Sequence, residues 1–127
     1  NSSEIEPALR AKIQEIDLLF LPSDNLIASS MSIITKVALD NNIGAISVDE
    51  PMVNNGALAC EGLDYYKLGY ETGLMAVDII NGKEIGNIPV SKPKDTELTI
   101  NRYIANRLEL NLSKDILDEA VIVEGEN

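Results

Sequence analysis

Asp17-Leu18-Leu19-Phe20-Leu21-Pro22-Ser23-Asp24-Asn25 decides how the chain is read. Leu18 to Leu21 is short and apolar throughout, the pattern of a strand buried on both faces. Pro22 lacks a backbone donor and stops the ladder. Ser23, Asp24 and Asn25 are all good N-caps, and a helical pattern follows at once. A buried strand that runs straight into a helix N-terminus is the unit of an open parallel sheet. In such sheets ligands sit at the carboxyl ends of the strands, against these junctions.

Working outward, the same plan recurs. Ile27, Met31, Ile34 and Ala38 share a helical face that Ile33 and Val37 widen. Asp40-Asn41-Asn42 ends that helix, with an Asn suited to a left-handed cap. Ala45-Ile46-Ser47-Val48 reads as a second strand, stopped by Asp49-Glu50-Pro51. Strand, helix, strand at this spacing is a right-handed parallel unit, so Asp24 and Asp49 share one carboxyl edge. Asn54-Asn55-Gly56 signals a turn, and Ala57 to Cys60 a third strand that ends in Glu61-Gly62-Leu63-Asp64. Asp64 caps a helix to about Ile80, with Leu68, Thr72, Met75, Ala76 and Ile79 as its buried stripe. Gly69 and Gly73 suit close approach to a neighbouring backbone, and Asn81-Gly82 closes the helix. Upstream, Ser3 and Glu6 fit a capping box. Ile5, Leu9, Ile13 and Ile16 make the stripe of a first helix that ends near Glu15. Downstream, Lys83 to Asp95 is a polar connection. Glu97 to Ile100 is a strand, Asn101 caps a short helix to about Leu108, Ser113 caps another turn, and Ala120 to Val123 is a last strand.

Composition narrows the function. The chain has 127 residues, enough for one domain with a core. Its 10 Lys and Arg against 21 Asp and Glu give a formal charge of −11, which excludes nucleic acid and anionic membrane surfaces as partners. With no His, Ser-His and Cys-His catalysis and histidine metal sites are excluded within the chain. Cys60, the single cysteine, reads as a small buried hydrophobe. Asp24 and Asp49 could serve as paired acids, but no nucleophile or metal constellation accompanies them, so no enzyme and no cofactor is expected. No apolar run spans a bilayer and no leader is visible. Because the chain opens inside a helix start, a fragment of something longer is expected.

Pro22-Ser23-Asp24-Asn25, Gly56-Ala57-Leu58-Ala59, the run Gly62-Leu63-Asp64-Tyr65-Tyr66-Lys67-Leu68-Gly69-Tyr70-Glu71-Thr72-Gly73, and Ile100-Asn101 form an ordered set. Together with the opening Asn1-Ser2-Ser3-Glu4-Ile5, it resembles the C-terminal part of bacterial ABC-transporter substrate-binding proteins of the tryptophan/tyrosine type. Ser23 stands where that family has a Thr, Cys60-Glu61 replaces a more neutral pair, and Glu109-Leu110 replaces a Gly-containing turn. The resemblance implies a type I periplasmic-binding fold of two α/β lobes with a ligand in the cleft between them. Residues 1–55 would then belong to the second lobe, 56–91 would return to the first, and 92–127 would cross back. Such a chain exposes apolar surface meant for the missing N-terminal lobe and either finds it, swaps elements or forms a homodimer.

The resemblance also implies the work. A zwitterionic amino acid, aromatic or otherwise hydrophobic, needs an anion for its ammonium and donors for its carboxylate. Asp24 or Asp49 would supply the first, with Glu50 beside Asp49. The helix N-terminus after Asn25, the Ser23 hydroxyl and the Asn25 amide would supply the second. Asp64 and Tyr65 would close from the other lobe, and Glu61 borders the cleft. The full-length protein would be extracytoplasmic, periplasmic or a membrane-anchored lipoprotein, and would deliver to an ABC permease. The alternative is the effector-sensing domain of a transcription regulator of the same fold.

Overall fold

In a computed structural model of the chain, residues 1–93 and 96–125 are described. The chain divides into two compact units, one of residues 1–62 and 97–127, the other Leu63–Thr96. In the first unit, helix α1 (Ser2–Lys12) runs into a 3-10 turn at Ile13–Glu15 and then strand β1 (Leu18–Leu21). Helices α2 (Asn25–Ser29) and α3 (Met31–Asp40) lead to β2 (Gly44–Ser47). Helix α4 (Glu50–Asn54) leads to β3 (Ala59–Leu63), whose last residue enters the second unit. The chain returns on β4 (Thr96–Asn101) and ends with α6 (Arg102–Arg107), α7 (Lys114–Glu119) and β5 (Val121–Val123). The second unit holds α5 (Tyr65–Ile80) and a 3-10 turn at Ile85–Asn87. Lys94 and Asp95, in the expected polar connection, lie outside the described residues, as do Glu126 and Asn127.

The five strands form one α/β sheet in the order β1-β2-β3-β4-β5. β1 and β2 pair in parallel, Leu18 against Gly44 and Leu21 against Ser47, and β2 and β3 pair in parallel, with Ser47 against Cys60. β4 and β5 are parallel to each other. The Asn101 N–H donates to the Leu58 carbonyl at 2.9 Å while Thr99 hydrogen-bonds Cys60. Numbers therefore rise on one strand as they fall on the other, so β4 runs against β3. Asn101 and the start of α6 consequently lie at the amino edge of β1–β3, opposite Asp24 and Asp49.

The core forms where the parallel strands meet their helices. Leu21, Ala45 and Cys60 from β1–β3 pack with Met31 and Ile34 of α3, Met52 and Val53 of α4, and Ala57. Ile5 and Leu9 of α1 cover its margin. Several local expectations change. Asn1, not Ser3, caps α1, its side chain accepting from the Ser3 N–H at 3.0 Å, because Glu6 is engaged by Arg10 at 2.8 Å. β1 is not buried on both faces: Leu18 is 48% and Phe20 62% exposed, since β1 is the edge strand and this pair points away from the core. The helix after Asn25 breaks at Ser30, whose N–H bonds the Ile27 carbonyl, and the reset leaves Ile33 exposed while Val37 is buried. Asp49-Glu50-Pro51 does not merely stop a strand but starts α4, with Pro51 in its first turn, where its missing N–H costs nothing. β3 begins at Ala59 because Ala57, fully buried, is spent on packing before the ladder starts.

In the second unit, Asp64 caps α5 by accepting from the Lys67 N–H at 2.9 Å, and Gly82 at φ 94° follows the helix, as the sequence implied. The expected buried stripe is not buried: no α5 residue is. Within the unit the segment around Ile85–Ser91 lies along Leu68, Thr72, Met75 and Ile79. Among the described residues nothing lies within 4 Å of where a Cβ on Gly69 or Gly73 would stand, so none of their backbone approaches these glycines closely. Asn42 takes φ 57° at the end of α3, as expected of an Asn there, and Glu109 takes φ 54°.

Candidate functional site

The carboxyl edge of β1–β3 collects most of the predicted site residues because parallel strands in register end together. Ser23-Asp24-Asn25 follow Leu21, Asp49-Glu50 follow Ser47, and Ser47 and Leu21 are register partners. Glu61 follows Cys60, the partner of Ser47 on the other side. Ser23, Asp24, Asn25, Glu50 and Glu61 are exposed, and Asp49 is half-buried. Asp64 and Tyr65 belong to the second unit, Asp64 as the α5 cap and ion partner of Lys67 at 3.6 Å, Tyr65 as an exposed first-turn residue.

Local chemistry explains the acids first as caps. Asp24 is extended, and its Oδ1 accepts from the N–H groups of Leu26 and Ile27 at 2.8 and 3.1 Å. Asp49 Oδ1 accepts from the Met52 N–H at 3.3 Å. Both jobs use one carboxylate oxygen. Oδ2 of Asp24 and Oδ2 of Asp49 take no hydrogen bond among the described residues. Glu50 is occupied through Oε1, which accepts from Asn54 Nδ2 at 3.2 Å. The positive end of α2 already faces the Asp24 carboxylate, so the edge offers an added cation more than an added anion.

Two residues that the sequence did not single out as part of a site, Ser47 and Gly62, shape this edge together with Cys60. Ser47 Oγ donates to the Asp49 carbonyl at 3.1 Å and holds the turn out of β2. Gly62 is buried, and a Cβ on it would stand 3.7 Å from Asp49 Cα and 3.8 Å from Glu50 N, so the exit of β3 runs along the start of α4. Cys60 is 3% exposed. Burial pushes its thiol up; hydrogen bonds with Thr99 work against that, and the charges of Asp49 and Glu50 add to it. A thiol held protonated in this way is packing, not a nucleophile. Small residues at strand ends carry no periodic signal, which is why Ser47 and Gly62 were not legible, whereas Cys60 is the small buried hydrophobe that the sequence implied.

Among the described residues no cluster of His, Cys, Asp and Glu could hold a metal ion, and no helix is long and apolar enough to cross a membrane. The pattern of the ABC transporter substrate binding protein family matches residues 1–124. The chain belongs to that family. It is 45% identical over 115 residues to a tyrosine-binding protein of Clostridioides difficile (strain R20291), an alignment that takes in 90% of this chain and 33% of the relative. It is also similar to the ligand-free, open structure of a substrate-binding protein with adhesive properties from Clostridium difficile, at 37% identity and a TM-score of 0.87, over 99% of this chain and 42% of that one. A third relative is an ABC domain from Streptococcus pneumoniae in complex with L-Trp, at 26% identity and a TM-score of 0.78, over 96% of this chain and 41% of that one. The chain thus spans about a third to two fifths of the length of these relatives. They are binding proteins, and the α/β fold expected from the sequence is the fold they share with this chain.

Proposed function

We propose that the protein is the solute-binding component of an ABC importer and captures a free aromatic or other hydrophobic amino acid. One observation supports the edge as the place of capture: Asp24 and Asp49 end adjacent parallel strands, each with one oxygen in a cap and the other open. The ammonium goes to these open oxygens, and the Ser23 hydroxyl and Asn25 amide take the carboxylate. Residues Asn1–Gly62 with 97–127 act as a second-lobe body, and Leu63–Thr96 as part of the first lobe, with Asp64 and Tyr65 closing over the ligand by a hinge motion. The exposed apolar positions of α5, among them Tyr66, Tyr70, Leu74 and Ile80, are covered by the remainder of that lobe. The working protein is extracytoplasmic, free or lipid-anchored, and delivers to a permease. The tyrosine named for one relative and the L-Trp bound in another support the ligand class.

The test is a thermal-shift screen of the complete gene product against the amino acids. A ligand at a hundred times its Kd adds about 2.7 kcal/mol of stability. Stabilisation by Tyr, Trp or Phe that Asp49→Asn weakens about tenfold or more in affinity is the expected result. If no amino acid moves the melting temperature, the amino-acid assignment is wrong. If one does but Asp24→Asn and Asp49→Asn bind it as tightly as wild type, the ammonium site lies elsewhere.

A further inference from the structure

The helix layer has a gap at the edge remote from Asp24 and Asp49. Helix α4 has five residues and extends only about 8 Å, half the length of α3. Between α3 and α6 this leaves an open cavity of about 510 Å³, bounded at the end of α4 by Asn55. That volume is within the range of small-molecule sites, about 300–1,000 Å³. Its floor is apolar and well packed: Ile104 is 1% exposed, and Thr35, 4% exposed, has its hydroxyl committed to the Met31 carbonyl at 2.8 Å. Leu39 and Tyr103, both half-buried, add an aliphatic and an aromatic wall. Lys36 stands on the α3 side and Arg107 on the α6 side.

The charges choose the ligand. Lys36 Nζ is 3.3 Å from Asp40 Oδ2, so that pair is neutral overall. Arg107 makes no ion pair or hydrogen bond among the described residues. The cavity therefore carries one uncompensated positive charge in a chain of net charge −11. A free guanidinium beside an apolar floor fits a planar carboxylate held by two parallel N–H bonds, with the rest of the molecule on Leu39, Tyr103 and Ile104. One net charge matches a monoanion. A dianion would bring a second charge next to Asp40.

We propose that this cavity is a second binding site, for small organic monocarboxylates with an apolar body, independent of the strand-edge site. The two are separate by topology. α3 starts at the carboxyl edge, after Ser30, and its far end precedes β2, so Lys36, Leu39 and Asp40 lie toward the amino edge, where Asn101 begins α6. Ligand at one leaves the other open.

The test is an amide and methyl chemical-shift titration of the complete gene product with benzoate, with benzamide as the neutral isostere and phthalate as the dianion. Saturable benzoate shifts centred on Thr35, Leu39 and Ile104, absent with benzamide and weaker with phthalate, are the expected result. Arg107→Ala, at an exposed position with no ion pair or hydrogen bond among the described residues, should weaken benzoate about tenfold, and Arg107→Lys should recover part of it. Equal shifts from benzamide would overturn the charge argument. Shifts confined to Ser23–Asn25 and Asp49, or none at the cavity, would overturn the site.

Discussion

Asn101 is the most heavily used polar side chain in the core, and its loss can be worked through bond by bond. It is 0% exposed. Its Oδ1 accepts from the Ile104 N–H at 3.1 Å and caps α6; its Nδ2 donates to the Val53 carbonyl at 3.1 Å and secures the end of α4. Asn101→Ala removes both. The cap is worth about 1 kcal/mol, within a range of roughly 0.5–2. The Val53 carbonyl keeps its bond from the Gly56 N–H at 3.1 Å, so the lost Asn101 donor costs one net hydrogen bond, roughly 0.5–1.5 kcal/mol more. The expected loss is about 1.5–2.5 kcal/mol, a large share of the stability of a domain this size. With a urea slope of about 1.5 kcal/mol/M, the midpoint should fall by roughly 1.0–1.7 M.

Asn101→Asp separates the two bonds. Asp caps as well as Asn, so the α6 bond survives. The donor to Val53 is replaced by an oxygen facing an oxygen. Near neutral pH the variant must bury a charge or take up a proton, so it should be no more stable than Asn101→Ala. Its carboxyl would be pushed up in the folded state. The folded state then binds the proton that the unfolded state lacks, and as pH falls toward the ordinary carboxylate range the deficit against wild type should shrink. Urea midpoints of the three proteins at two pH values decide the matter. An Asn101→Ala loss under about 0.5 kcal/mol, or an Asn101→Asp deficit independent of pH, refutes the two-bond account.

Glu109 holds φ 54°, in the left-handed region. The left-handed strain of a side chain, about 1–2 kcal/mol, exceeds the entropy cost of glycine, about 0.5–1, so Glu109→Gly should raise the urea midpoint by the equivalent of about 0.5–1 kcal/mol, and a fall would count against a strained turn. Asp24 caps two N–H groups at short range and Asp49 one at 3.3 Å. Asp24→Ala should therefore cost about 1 kcal/mol and Asp49→Ala nearer 0.5, while both Asn variants keep the caps, so a stability loss in the Asn variants would show that the charge, not the cap, matters to the fold. The raised thiol of Cys60 means the folded chain keeps a proton that an unfolded cysteine gives up. Its stabilising share is whole below the ordinary thiol range and lost as pH rises through it, so urea midpoints taken from about pH 7.5 to 9.5 should fall less steeply in Cys60→Ala than in wild type, and equal slopes would contradict the burial argument.

What the sequence made legible is what local chemistry repeats. The plan of apolar run, polar cap and helix recurs at Asp24, Asp64, Asn101 and Ser113, and each of these does cap the helix that follows. The pairing of β1 with β2 followed from strand spacing and handedness. The opposite run of β4 did not, because nothing between Lys83 and Asp95 states which way the chain returns. The misjudged burial has one cause. Leu18 and Phe20 on β1, and Thr72, Ala76 and Ile79 of the expected α5 stripe, are exposed although they read as buried. Apolar pattern reports the environment a residue suits, not whether the neighbours that provide it are within the same 127 residues.

That distinction bears on the candidate site as well. An acid at a strand end is read from sequence as a cap or as a ligand group, and the choice is posed as one or the other. In the fold the two roles are not exclusive, since a carboxylate has two oxygens and the caps of α2 and α4 each use one. The cap is what fixes the open oxygen in place: with Oδ1 tied to Leu26 and Ile27, the Asp24 carboxylate has lost the rotamer freedom it would otherwise lose on binding. The same bond that looks like a reason to dismiss Asp24 as structural is thus what would make it an effective partner for a cation. Asp49, tied by a single 3.3 Å bond, is the less fixed of the two and has more freedom left to adjust. An ammonium shared between them would draw its position from Asp24 and its fit from Asp49.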